Sequence, residues 1–278
     1  MEIKRLVLVL VDISGYTNFI KMHTMSLLHA ESIVTDLLEA VIDHAEYPLT
    51  LSKLEGDAAF LYAALDDEGE ASAAAKDILN QVTKFFEAFR AKERALIACD
   101  VCRCDACDNI EQLKLKAFLH VGETVIKKIR QFEELAGENV ILIHRLLKNS
   151  IPVKEYILLT EAFHELSGGF AGSPAETRTE ACEGIGQVTV RVYYPPSDEL
   201  PLPPRPAPGP PTPGTEIGEI ATRWNDYAVQ RITGQTPRPN FSHLPQAKLT
   251  RLSLWSYFVV GVGGNIIATI RHRLGPKA

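Results

Sequence analysis

Residues 5–19 read RLVLVLVDISGYTNF, an aliphatic run that meets an aspartate, Asp12, and is broken three residues later by Gly15. Unbroken aliphatic character without alternation marks a strand buried on both faces. A carboxylate at the end of such a strand is costly to bury unless it has a partner or a task. The reading of the chain turns on which of these Asp12 has.

Outward from this strand, periodicity alternates between strand and helix. HAESIVTDLLEAVIDHA (29–45) places Ala30, Ile33, Leu37 and Val41 on one helical face. LTLSKLEGDAAFLYAA (49–64) reads as two short strands with Glu55-Gly56-Asp57 at the turn. ASAAAKDILNQVTKFFEAFRAKER (71–94) is a long amphipathic helix with Ile78, Val82, Phe85, Phe86 and Phe89 on its apolar side. LKLKAFLHVGETVIKKI (113–129) is read as two more strands, NVILIHRLLKNS (139–150) as a helix, EYILLTEAFHEL (155–166) as strand and helix, and QVTVRVYYP (187–195) as a last strand. This order predicts an α/β sandwich.

Composition sets the outer bounds. The 278 residues carry a formal charge of −6, which argues against nonspecific nucleic-acid binding, since that needs a basic surface to displace counterions. The N-terminal apolar run is short and meets Asp12 at once, unlike a secretory signal, so the N-terminal part is expected in the cytoplasm. Between Pro195 and Pro213, ten of nineteen residues are proline, which favours an extended, semi-rigid spacer. The expected organisation is a domain over 1–194, a proline-rich linker over 195–214 and a C-terminal segment over 215–278.

Two acidic turns give Asp12 a task. Asp12 ends the first strand and Asp57 sits in the next hairpin turn, so neighbouring strands would bring both carboxylates to one edge of the sheet. Hard divalent cations take such oxygen ligands and leave room for water and phosphate. Glycine-aspartate is also an ordinary hairpin turn.

LVDISGYTNFI, followed by KLEGDAAFLY, FLHVGE and LAGENVILIHRLLKNS, resembles the catalytic domain of class III nucleotide cyclases over about residues 4 to 194. CRCDACDNIEQLKLKAFLHVGE is similar, more narrowly, to a cyclase-like branch known as a domain of unknown function. The resemblance implies the ferredoxin-like cyclase fold, a homodimer and a nucleoside triphosphate substrate. It assigns magnesium or manganese to Asp12 and Asp57, helped by the backbone of Ile13. It also places Lys53 at the adenine-selecting lysine, Glu134 at that lysine's acidic partner and Arg145 at the catalytic arginine. Two positions depart from the pattern. Ile141 stands where an asparagine positions the ribose, and isoleucine can neither donate nor accept a hydrogen bond. Glu183 stands where a lysine meets the triphosphate. The expected function is therefore ATP binding with divalent metal and weak or conditional formation of cyclic AMP, or else a catalytically degenerate cyclase fold acting as a nucleotide-binding or metal- or redox-sensing regulatory module.

Two further segments carry expectations of their own. Cys99, Cys102, Cys104 and Cys107 fall within nine residues, a spacing that could close a zinc site, although most structural zinc sites draw ligands from two separated knuckles; redox-active or inert thiols are the other readings. Residues 252–270 are uncharged and bracketed by arginines, which fits a membrane anchor. Asn265 and three glycines temper that reading, and a docked strand-turn-strand explains the stretch as well.

Overall fold

The computed structural model describes residues 1–22, 27–67, 69–98, 105–195 and 259. The opening run forms β1 (Glu2–Ser14), paired antiparallel with β3 (Ala58–Ala64) on one side and β4 (Lys114–Ile129) on the other. Every residue from Leu6 to Val11 is fully buried. A strand flanked on both edges and covered on both faces needs an apolar side chain at each position, so the sequence does not alternate.

Around β1 the chain builds one mixed sheet. β2 (Thr50–Glu55) folds back onto β3 through a two-residue turn, Gly56-Asp57, in which Gly56 takes the left-handed φ of 68° that a side chain would resist. β5 (Phe132–Ala136) returns along β4, β6 (Tyr156–Thr160) runs parallel to β4, and β8 (Gly186–Tyr193) lies between β6 and β7 (Glu176–Cys182). The strand order is β2-β3-β1-β4-β6-β8-β7, with β5 paired to β4. The helices are α1 (Tyr16–Met22), α2 (Leu27–Ile42), α3 (Ala71–Ile97), α4 (Asp105–Asp108), α5 (Glu138–Arg145) and α6 (Glu161–Ser167).

The expected α/β sandwich is present, with local differences that include the added edge strand β7. Where two strands were expected over 113–129, Lys114–Ile129 form one strand, β4, that passes through Gly122 without breaking. The missing Cβ there makes room for Asn139, whose side-chain atoms would lie within 2.4–2.6 Å of it. The segment Phe132–Ala136, to which the periodicity assigns no element, is strand β5. α5 stops at Arg145 instead of running to residue 150, because the Asn149 amide donates to the Leu146 carbonyl and its oxygen accepts from the Ile151 N–H.

The fold comprises two compact units. The first, Met1–Asn18, Leu37–Lys92 and Gln112–Glu199, holds the whole sheet. Its core on one side of the sheet gathers Leu6, Leu8 and Leu10 of β1, Phe60, Phe118, Leu158 and Val192 with Ile143 and Leu146 at α5. The second comprises Phe19–Asp36, Glu93–Glu111 and Leu200–Ala278; Ile33, Val34, Leu96, Ile97 and Ile110 are among its buried residues.

Candidate functional site

Register fixes the corner where Asp12 lies. Asp12 stands opposite Ala58 of β3 and opposite Lys116 of β4, and the Ile13 N–H donates to the Asp57 carbonyl at 3.1 Å. The β2–β3 turn is thereby tied to the end of β1, and Asp12, Ile13 and Asp57 come together at one corner of the sheet. Gly56 makes this approach by turning the chain in two residues.

Asp12 has a partner that the sequence did not disclose. The Lys116 ammonium lies 2.8 Å from Asp12 Oδ2, with the two side chains only 17% and 13% exposed. The lysine also sits over the Phe118 ring, 5.8 Å from its centroid. Next in the same cross-strand row is Tyr156, opposite Lys116, whose hydroxyl burial pushes up to about 12; it accepts a bond from the Asn149 amide. The corner therefore presents the Asp12 carboxylate, its charge balanced by Lys116, beside the residue Asp57. Its chemistry suits a hard cation, which would meet Asp12 on the oxygens that Lys116 now satisfies. Among the described residues no three His, Cys, Asp or Glu side chains converge as a ligand set, so such an ion would complete its shell with water and phosphate oxygens.

A second cluster connects β2 with α5. Lys53 Nζ lies 2.8 Å from Glu55 Oε1 and 5.9 Å from the Phe60 centroid. His144 Nε2 approaches both Glu55 oxygens, at 3.2 and 3.0 Å, while its Nδ1 faces the Val140 carbonyl at 2.7 Å. Burial alone would raise the Glu55 pKa, but the bond from Lys53 and the charge and bond of His144 outweigh it and hold the carboxyl below its ordinary range. Glu134, the acid expected beside Lys53, stands opposite Lys127 in the β4–β5 hairpin. Its neighbour Glu133 accepts from the Tyr62 hydroxyl at 2.7 Å.

α5 carries the remaining candidates. Arg145 Nη1 lies 2.9 Å from Glu183 Oε2 in the β7–β8 turn, both side chains well exposed. Ile141, one turn earlier, is 53% exposed, an apolar side chain turned to solvent. Asn139 has structural work: its amide donates to the Glu123 carbonyl at 2.7 Å, which leaves its oxygen to accept from His120 Nε2 at 2.8 Å. His120 Nδ1 then accepts from the Thr160 hydroxyl, also at 2.8 Å. Burial lowers the His120 pKa, opposed in part by the Asn139 bond, so this histidine is a satisfied core residue that fastens the start of α5 to β4 and β6.

Of the cysteines expected as a zinc site, Cys99, Cys102 and Cys104 lie outside the described residues and Cys107 is buried in α4, while Cys182 is a buried core residue of β7. The expected anchor over 252–270 also lies outside them, save Val259. No helix of the described residues is long and apolar enough to cross a membrane. Lys116, Glu55 and His144 escaped sequence reasoning because their meaning lies in strand register and in the approach of α5. The only written signal was the KLEGD turn, which put a carboxylate two residues from a lysine.

Comparison with known proteins places this geometry in a family. A profile for the family described as "Protein of unknown function (DUF2652)" matches residues 34–156. The chain is 36% identical over 156 residues to the uncharacterized protein Rv2561/Rv2562 of Mycobacterium tuberculosis, a match covering 56% of this chain and 70% of that one. Among solved structures it is similar to the adenylyl cyclase CyaB from P. aeruginosa, with TM-score 0.52 and 14% identity over 72% of this chain and 98% of that one. It is also similar to the guanylyl cyclase Cya2, with TM-score 0.53 and 14% identity over 73% and 98%. At such identities the likeness is one of fold. The chain belongs to the family of the mycobacterial protein Rv2561/Rv2562 and has the fold of the nucleotide cyclase catalytic domain.

Proposed function

We propose that this protein binds ATP together with magnesium or manganese at the corner formed by Asp12, Ile13 and Asp57, and converts it weakly or conditionally to cyclic AMP as a homodimer. The observation that carries the reading is the Ile13 N–H bond to the Asp57 carbonyl, which seats a second carboxylate-bearing residue against the strand that ends in Asp12, in a fold similar to that of adenylyl and guanylyl cyclases. Cyclisation joins the ribose 3′-oxygen to the α-phosphorus, breaks the bond from that phosphorus to its bridging oxygen, and releases pyrophosphate and the 3′-hydroxyl proton. A bound divalent cation supplies Lewis-acid polarisation of the phosphate oxygens and a more acidic 3′-hydroxyl. Asp12 and Asp57 would hold it, Lys53 would donate to the base, and Arg145 would meet developing phosphate charge once released from Glu183. A zinc-binding role for the 99–107 loop belongs to the same proposal and rests on cysteine spacing alone.

A second reading, a nucleotide-binding regulatory module without turnover, is favoured by two observations. Ile141 offers the ribose no hydrogen bond, and Glu183 both occupies Arg145 and brings a negative charge to that edge. Incubating the purified protein with ATP or GTP and manganese and measuring cyclic product separates the two. Slow cyclic AMP formation supports the enzyme; nucleotide binding with no product supports the module; neither binding nor product refutes both.

A further inference from the structure

We infer that Glu55, and not Glu134, is the acid that works with Lys53 in choosing the base, so that the selecting pair lies two residues apart on β2. The inference rests on the ATP-binding reading above. Lys53 and Glu55 stand opposite Phe60 and Ala58 of β3, two residues whose side chains belong to one core cluster, so both members of the pair lie on the same face of the sheet. Their charged atoms are 2.8 Å apart, and the side chains remain 41% and 28% exposed, so a ligand can reach them.

Their bonding capacity is not exhausted. An ammonium has three donors and a carboxylate about four acceptor positions. Lys53 gives one bond to Glu55, and Glu55 receives that one and the contacts of His144. A donor and an acceptor are left side by side. Adenine presents an acceptor at N1 beside a donor at its 6-amino group, which matches this pair. Guanine presents the reverse, a donor at N1 beside an acceptor at O6, and in the orientation that sets position 1 against Lys53 and position 6 against Glu55 it meets like groups at both positions.

Fixity is what separates this pair from an ordinary surface lysine and glutamate. Exposed ion pairs are loosely held, but His144 faces both oxygens of Glu55 with Nε2 and the Val140 carbonyl of α5 with Nδ1; all are acceptors, so it is in the imidazolium form that His144 donates to both and holds the carboxylate from α5. The carboxylate is therefore positioned from two elements before any ligand arrives. Among the described residues no side chain grips Glu134 in this way; its strand register sets it opposite Lys127, and Lys53 pairs with Glu55.

The test is titration of full-length protein with ATP and with GTP in the presence of manganese, for the unmodified chain, Glu55→Gln, Glu134→Gln and His144→Asn. The unmodified chain should prefer ATP. Glu55→Gln, whose amide can donate to guanine O6, should reduce the ATP-to-GTP affinity ratio about tenfold, the order expected for a hydrogen bond to a charged group, while Glu134→Gln should leave it within about twofold. His144→Asn, which releases Glu55 without altering it, should lower the ratio in the same direction by about threefold and keeps the test open if Glu55→Gln folds poorly. An unchanged ratio in Glu55→Gln and His144→Asn, or a loss in Glu134→Gln as large as in Glu55→Gln, overturns the inference and leaves ATP binding standing. Failure of the unmodified chain to bind either nucleotide overturns both.

Discussion

Replacing Asp12 by alanine should destabilise the fold, although an acid at an open sheet edge would be dispensable. The reason is Lys116. Its ammonium is 2.8 Å from Asp12 Oδ2 in a pair whose side chains are 17% and 13% exposed. At that distance the attraction is on the order of 6 kcal/mol with an effective dielectric of about 20, and most of it is offset by taking both charges out of water. Removing one partner leaves the desolvation without the attraction, which costs about 3–5 kcal/mol in a fully buried pair. Residual exposure and the reach of the lysine stem reduce this to about 2–3 kcal/mol here. Urea unfolding of Asp12→Ala, Lys116→Met and the double variant closes the cycle. The double variant removes both charges and should be less destabilised than the sum of the single changes by about 2 kcal/mol. A coupling energy below about 0.5 kcal/mol would refute the reasoning, because it would mean that the two charges act independently.

Three further outcomes follow from the same geometry. Gly122→Ala places a Cβ within 2.4–2.6 Å of the Asn139 side chain and should cost about 1–3 kcal/mol in denaturant unfolding, a loss that should largely vanish when the same change is made in an Asn139→Ala background, itself destabilised by losing the bonds to His120 and Glu123. His120 has a folded-state pKa held below its ordinary 6.5 by burial, so below pH 6.5 the unfolded chain takes up a proton that the folded chain refuses. Stability should therefore fall as pH drops through 6.5 toward the depressed value, by up to about 1.4 kcal/mol per pH unit from this one group, and His120→Gln should flatten that part of the curve. Combining Ile141→Asn with Glu183→Lys removes the ion pair that occupies Arg145 and supplies the ribose with a hydrogen-bonding group; ATP affinity and cyclic AMP formation should each rise about tenfold, a barrier change of about 1.4 kcal/mol, as read by calorimetry and product assay.

What was legible in the sequence was what repeats locally. β1 declares itself because a strand buried on both faces can carry only apolar residues, and α3 because Ile78, Val82, Phe85, Phe86 and Phe89 recur with helical period and are all buried. Both candidate aspartates were legible because each follows or interrupts such a pattern. β7 was not, since its sequence ETRTEAC lies at the edge of the sheet with four of seven residues exposed and so carries little hydrophobic signal. An unbroken β4 is not legible, since a glycine inside a strand pattern weakens it; only the position of Asn139 on another element explains why Gly122 sits there. The partners of the site residues were hidden for the same reason. Lys116 faces Asp12 through register, His144 reaches Glu55 across 89 positions of sequence, and Glu183 meets Arg145 through a hairpin turn that sequence reading had not assigned.

The most direct measurement of the central claim is isothermal titration of ATP into the purified protein with manganese, with manganese removed by chelation, and into Asp57→Ala with manganese. Asp57 is chosen over Asp12 because its change does not strand Lys116. Metal-dependent ATP binding by the unmodified chain, lost on chelation and in an Asp57→Ala variant that still unfolds cooperatively, is the result predicted. Binding that survives both chelation and Asp57→Ala, or no ATP binding by the unmodified chain, would contradict it.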